Sequence, residues 1–557
     1  MDWQKILNIT AIAIVGWLLI IEWDQFQGKK AAENPVVVEQ LTLSDTPEYS
    51  NQPSSASNEE LPTVEPWEKP AVEAAVVQSP RLITVTTDVF EVTIDTLGGD
   101  IVQVKLLQHL TAMAGDDGEP FTLLTRTADN QYVAQSGLIG PNATDTAAGR
   151  PLFAAASDNY ELLVGDEELN VDLTLNDNGI KIVKRFQFIP SDYSISVQYL
   201  INNLSVEPWE AVFYAQIKRD AHQPLVKSSG GIAPYLGAAL RQKDQNYSKY
   251  DFSDMAEETV TETIKGGWVA FIQHYFVSAW VPPREESSRF NLRYLSNSDI
   301  FLMGFTGERI SVAAGGFGEY SAQFYVGPKD QDRLAELGEY LDLTIDYGFL
   351  WMLAKPIFGA MQFIYTLLGN WGWSIILLTV LIKIILYPLS ATSLRSMAKM
   401  RNLQPEMNRI KELYGDDRHK MSQEMMGLYK KEKVNPAGGC FPMLLQMPVF
   451  LSLYWVLLES VEIRHAPWVW WIQDLSAKDP YFVLPVIMGA SMLLMQKMQP
   501  MPTDPMQARI MQLMPIMFTF FFMFFPAGLV LYWTVNNLLS MAQQWYVNKQ
   551  LVSAKKN

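Results

Sequence analysis

Apolar and polar positions along the 557-residue chain fall into three regimes. Residues 6–21, ILNITAIAIVGWLLII, form one unbroken apolar run behind Lys5. Glu22, Trp23 and Asp24 follow it where a cleaved leader would carry small residues, so residues 1–24 read as an uncleaved transmembrane anchor. Residues 25–80 hold seven prolines and many Glu, Ser and Thr without sustained periodicity, the pattern of a disordered tether. From Arg81 the period becomes two: LITVTTDVFEVTIDTLGGDIVQVKLL alternates β-branched and polar residues around Gly98-Gly99, and VKRFQFIP, YSISVQYLINN and GGWVAFIQHYFVSAW continue the style. Many short strands separated by Gly, Asn, Asp and Pro predict a large antiparallel β-sandwich over about 81–328. DQDRLAELGEYLDLTIDY, 329–346, predicts one closing helix that completes a unit of 81–346.

Beyond Gly348 the apolar runs lengthen. FLWMLAKPIFGAMQFIYTLLG is amphipathic and interrupted by proline, which suits a helix lying in a membrane interface. Residues 371–390, 440–458 and 481–496 each read as one membrane crossing. The last run, 510–547, is too long for one crossing, and Pro526-Ala527-Gly528 near its middle predicts a hairpin between spans 510–525 and 528–547. The expected fold is therefore mixed: a polytopic α-helical bundle of six transmembrane helices, with membrane core 347–557, plus the β-sandwich. Between the second and third spans, Leu394, Met397, Met400, Leu403, Met407, Ile410 and Leu413 recur at helical steps. Gly415-Asp416-Asp417 breaks the pattern before Met421, Met425 and Leu428 resume it, so 392–436 reads as a helical hairpin.

Charge orients this bundle. Residues 1–350 hold 24 Lys and Arg against 49 Asp and Glu, while the remainder holds 19 against 11. Segment 391–437 carries ten basic residues and the short segment 460–480 only Arg464 and Lys478. Basic loops stay cytoplasmic, which places both termini inside and the acidic β-sandwich outside. Methionine sorts with the apolar half, 21 of 25 lying after residue 350, and such polarizable side chains suit surfaces that meet varied apolar partners as well as ordinary packing. One cysteine, Cys440, excludes an intramolecular disulfide, and the five histidines lack metal-ligand spacing. No metal, cofactor or catalytic group is expected.

Lys383 is the one Lys, Arg, Asp, Glu or His inside the six apolar spans. An unsolvated charge at such depth costs about 3 kcal/mol. A snorkelling stem is the plain reading. Thr379, Lys383 and Tyr387 fall at i, i+4 and i+8, however, and Gln446, Asn536 and Asn537, beside Tyr532 and Trp533, lie in other spans. Either these groups glue helices together or they line a wet, positively charged cavity open to the cytoplasm.

SMAKMRNLQPEM, GDDRHKMSQEMMGLYKKEKVNPAGGCFPMLLQMPVFLSLYWVLLESVE, WIQDLSAKDPYFVLPVIMGASM and FFPAGLVLYWTVNNLL closely resemble the YidC membrane-protein insertase family of Gram-negative bacteria. The resemblance covers 346–557, and the anchor, tether and β unit match the family's layout. It implies a five-helix insertase core with a hydrophilic groove open to cytoplasm and lipid, and a β-supersandwich resembling sugar-mutarotase domains. It further implies groove roles for Thr379, Lys383, Gln446, Trp533 and Asn536, and client contacts at Met447 and Pro448; Tyr387 joins the expected groove through its place on the Thr379–Lys383 stripe. The family places arginine where this chain has Lys383, so a cation survives without the planar fork. Expected partners are nascent membrane proteins, the Sec translocon, membrane lipids and, for the basic loop and tail, the ribosome, with no small-molecule substrate. Two other classes compete: a transporter or channel with a periplasmic ligand-binding domain, which ought to show internal repeats, and a membrane-anchored carbohydrate enzyme using His109, His222 or His274.

Overall fold

The computed structural model describes residues 62, 81–112, 118–146, 149–222, 235–415, 417–432, 434, 441–499 and 505–554. The expected anchor and nearly all of the tether lie outside these residues. Between Leu82 and Pro328, nineteen described strands form a ten-stranded and a nine-stranded sheet. Every pairing is antiparallel except that of Leu82–Thr86 with Asn159–Glu161. Local chemistry sets the register. Strand Ile180–Phe188 buries every second residue. It joins Leu169–Asp177 through Asn178-Gly179, both with positive φ (47° and 82°), the conformation a two-residue hairpin demands. Gly98-Gly99 makes a like corner, with φ of 75° and 64°. The inner faces close over an apolar core containing Phe90, Phe186, Phe213, Trp280 and Phe324.

The single closing helix expected over 329–346 is instead two pieces, with a further 3-10 turn beyond it. Helix α2, Gln331–Leu337, follows a short α1, Phe252–Glu257, and stops where Gly338 turns extended; Tyr340 then takes φ 64° before 3-10 turns at Leu341–Thr344 and Gly348–Leu350. Eight described helices follow before the last: α3 (Trp351–Leu368), α4 (Trp371–Ile385), α5 (Tyr387–Asn402), α6 (Gln404–Tyr414), α7 (Arg418–Lys431), α8 (Phe441–Glu459), α9 (Val483–Met498) and α10 (Pro505–Phe522). The last, α11, runs Ala527–Ala554.

Run 371–390, read from the sequence as one crossing, bends by 70° between α4 and α5. Pro388, the second residue of α5, has no N–H for the Ile384 carbonyl, and its ring disfavours helical backbone just before it. Among the described residues no single helix is both long and apolar enough to cross a membrane; this bent pair has the combined length and composition. The first arm of the expected hairpin also breaks, at Leu403 ahead of Pro405, which divides α5 from α6.

The sheets and helices share a second buried cluster. Ala239, Ile272 and Tyr325 on the nine-stranded sheet, with Trp268 just ahead of strand Val269–Ile272, share it with Leu334, Leu341 and with Phe358, Ile375, Leu457 and Val530 on the helices.

Candidate functional site

Helix α4 begins with Asn370, whose side chain accepts from the Trp373 amide at 3.1 Å, an ordinary N-cap. Its apolar run then carries Lys383 into the last turn, where the carbonyl end of the helix favours a cation. The Lys383 side chain is 7% exposed. Its ammonium donates to Ser540 Oγ on α11 at 2.7 Å. Ser540 Oγ donates in turn to the Asn536 carbonyl at 2.7 Å, and the Asn536 side-chain oxygen accepts from Gln446 Nε2 on α8. One polar chain therefore joins three helices. Asn537 adds α9, donating to Ser491 Oγ at 3.1 Å.

A cavity of about 140 Å³ lies against this network, room for several waters. Its polar lining is Lys383, Ser390, Gln446, Gln499, Asn536, Asn537, Ser540, Gln543 and Gln544. Leu394, Met397, Met447, Phe450, Met495, Tyr532 and Trp533 supply the apolar part. Phe450 meets Trp533 edge to face, ring centroids 4.7 Å apart, which stiffens the wall between α8 and α11.

Of the residues singled out in the sequence, Lys383, Gln446, Met447, Trp533 and Asn536 meet at this cavity. Thr379, Tyr387 and Pro448 do not line it. The Thr379 hydroxyl is spent on the Ile375 carbonyl, 2.7 Å away in its own helix. Tyr387 starts α5 beyond the 70° bend, so the stripe Thr379–Lys383–Tyr387 is interrupted there. Pro448 is exposed on α8. Sequence reasoning missed Ser540, Gln543 and Gln544, although they follow Asn536 at helical spacing on a largely apolar helix, a polar stripe as legible as that on α4. Ser390, Leu394 and Met397 were unreadable, because only the bend brings α5 under the cavity.

Two of the three histidines of the β unit, His274 and His109, are otherwise engaged. His274 Nε2 lies 2.9 Å from the Leu458 carbonyl, and His109 packs edge-on to Phe276 at 5.5 Å. Burial beside Arg464 holds the His109 imidazole down at about 4. Among the described residues no group of three or more His, Cys, Asp and Glu is arranged to hold a metal ion.

Against known families, the description "YidC periplasmic domain" matches residues 82–360 and "60Kd inner membrane protein" matches 363–555. A protein of Cellvibrio japonicus (strain Ueda107), named membrane protein insertase YidC, is 51% identical over 557 residues, covering 100% of this chain and 99% of its own. The chain belongs to the YidC membrane protein insertase family. A YidC insertase of Stutzerimonas stutzeri (strain A1501) is 47% identical, with 100% of both chains covered. A crystal structure described as an active YidC insertase with its first transmembrane domain resolved is 19% identical, covers 84% of this chain and 93% of its own, and superposes with a TM-score of 0.37. Every residue lining the cavity falls inside the match to the YidC inner-membrane part, and both sheets fall inside the match to the YidC periplasmic part.

Proposed function

We propose that the chain inserts nascent inner-membrane proteins and helps them fold, with the cavity around Lys383 as the place where a client's polar end leaves water. The observation carrying this reading is the enclosed ammonium, held by Ser540 at 2.7 Å on the wall of a polar-lined cavity to which five helices contribute. A client segment must desolvate polar or acidic groups to cross; water and a fixed cation lower that cost, and burial of its apolar part in lipid then drives the step. Helix α4 with the first turn of α5, then α8, α9, α10 and α11, together with residues 1–24, make six crossings with both termini cytoplasmic and the β unit periplasmic. Five of them form the insertase core, and the domain limits are those expected from sequence. Leu513, Ile516 and Phe520, each about 60% exposed on α10, suit a hydrocarbon surrounding. Helix α9 has 16 residues, about 24 Å at ~1.5 Å each against a ~30 Å core, which favours a locally thinned bilayer. The basic arms α5–α7 suit anionic headgroups, the ribosome or the Sec translocon.

The test is insertion of a small client into proteoliposomes. Lys383→Arg keeps insertion near the parent level. Lys383→Glu lowers it about tenfold or more, since like charge then meets acidic client ends in a desolvated site. Equal rates for the two variants would remove the electrostatic role.

A further inference from the structure

Helix α8 ends by handing its unpaired carbonyls to the β unit. Ser460 leaves the helix in extended backbone, so the Leu458 carbonyl has no intrahelical donor. His274, in the turn between strands Val269–Ile272 and Phe276–Val281, stands 2.9 Å from that carbonyl. A carbonyl only accepts, so Nε2 carries the proton. Lys329, just past strand Phe317–Pro328, meets Glu459 at 3.0 Å with side chains 2% and 6% exposed, and so places a cation at the negative end of α8. Beyond, Val461 is buried in the β-sandwich core and Arg464 donates to the Leu110 carbonyl at 2.6 Å. The outer half of α8 is enclosed, with Leu453, Val456 and Leu457 at 1% exposure or less. Just below Pro448, Gln446 is half-buried and Met447 is 42% exposed. Proline removes a rung of the helix ladder there, and kinks of α-helices gather at such points.

We propose that Lys329 and His274 are positioning residues for insertion: they clamp the outer end of α8 to the β unit, so that a client entering the cavity moves only the segment below Pro448, which carries Gln446 and Met447. The assignment rests on the insertase reading. Glu459 stands thirteen positions from Gln446, about 20 Å along the helix at ~1.5 Å per residue, so the clamp acts without touching the client. The β unit is then a fixed support for one wall of the groove.

Two measurements on the full chain decide it. In a Cys440→Ser background, spin labels at Ala335→Cys on α2 and Met447→Cys on α8 report the distance from the β unit to the inner half of α8 in lipid nanodiscs. Lys329→Met, which strands a buried carboxylate, broadens that distribution, and Lys329→Met/Glu459→Met, which replaces the pair by apolar packing, narrows it again. In the client-insertion assay, without the labelling cysteines, Lys329→Met falls about tenfold and the double variant regains most of the loss, as a desolvated pair behaves when one or both partners are removed. Should Lys329→Met fail to accumulate, Glu459→Gln keeps the volume and leaves the lysine unpaired, and the same losses are expected. Unchanged distances, a broadened distance with undiminished insertion, or a double variant no better than the single would each overturn the proposal. If the parent chain inserts nothing, the insertase reading fails instead, and the distances still decide whether the clamp exists.

Discussion

Lys184 lies fully enclosed between the two sheets, and its ammonium donates to the carbonyls of Gly98 and Ser136, each at 2.9 Å. Arg150 shares both acceptors and pairs with Asp100 and Asp145 at 2.9 and 2.6 Å. Burial pushes the Lys184 ammonium down to about 7, the attraction of Asp100 only partly offsetting it. An unfolded lysine titrates near 10.4. Between these values the unfolded chain binds the extra proton, so stability rises with pH from about 7 to about 10.4, by about 1.4 kcal/mol per pH unit, and this contribution is flat below 7. Lys184→Met removes that slope and strands no carbonyl, since Arg150 serves both. Thermal unfolding of the full chain in detergent, followed by proteolysis of the β unit at pH 7, 8 and 9, checks this: the parent midpoint climbs relative to that of the variant. Parallel curves would place the ionised lysine at no cost in the core. No periodicity of the sequence marks Lys184, because the pattern VKRF only assigns it a face of a strand.

At the level of elements, the sequence was legible wherever the signal was local. Gly98-Gly99 marked a real corner, and Pro526-Ala527-Gly528 lies at the junction of α10 and α11. It misled where two local signals competed. The apolar run 371–390 outweighed Pro388 in the reading, whereas Pro388 won in the fold; likewise the helical steps of 329–346 hid the break at Gly338. Proline also explains an otherwise idle side chain. Pro515 inside α10 cannot donate to the Met511 carbonyl, and Gln496 Nε2 of α9 donates to it instead. Gln496→Leu should therefore lower the thermal midpoint, with a cost of about 1–2 kcal/mol for the orphaned acceptor. Pro515→Ala restores the backbone donor, so in that background Gln496→Leu should cost little. A cycle of the four chains, unfolded in the same detergent, measures the coupling; strict additivity would show that the amide bond carries no weight.

Over the whole molecule, composition separated an acidic β-rich part from an apolar, basic part, but it could not say that they meet. Their contact involves His274, Lys329 and Arg464, residues 130 to 354 positions from their partners, and such pairings leave no mark on hydropathy. Orientation, by contrast, rests on charge alone and is open to a direct test. In the proposed orientation the ten basic residues of 391–437 keep α5–α7 on the cytoplasmic side, and the segment carrying Trp470, 82% exposed, lies on the opposite side. In a Cys440→Ser background, His419→Cys on α7 should react with a membrane-impermeant maleimide in inverted vesicles and stay unlabelled in spheroplasts. Trp470→Cys should show the reverse. Both sites can be read in active protein, because neither lines the cavity. Labelling of residue 419 from outside would turn the cavity's basic flank toward the periplasm. Clients made in the cytoplasm would then meet the β unit before Lys383, and the cation could not ease their entry.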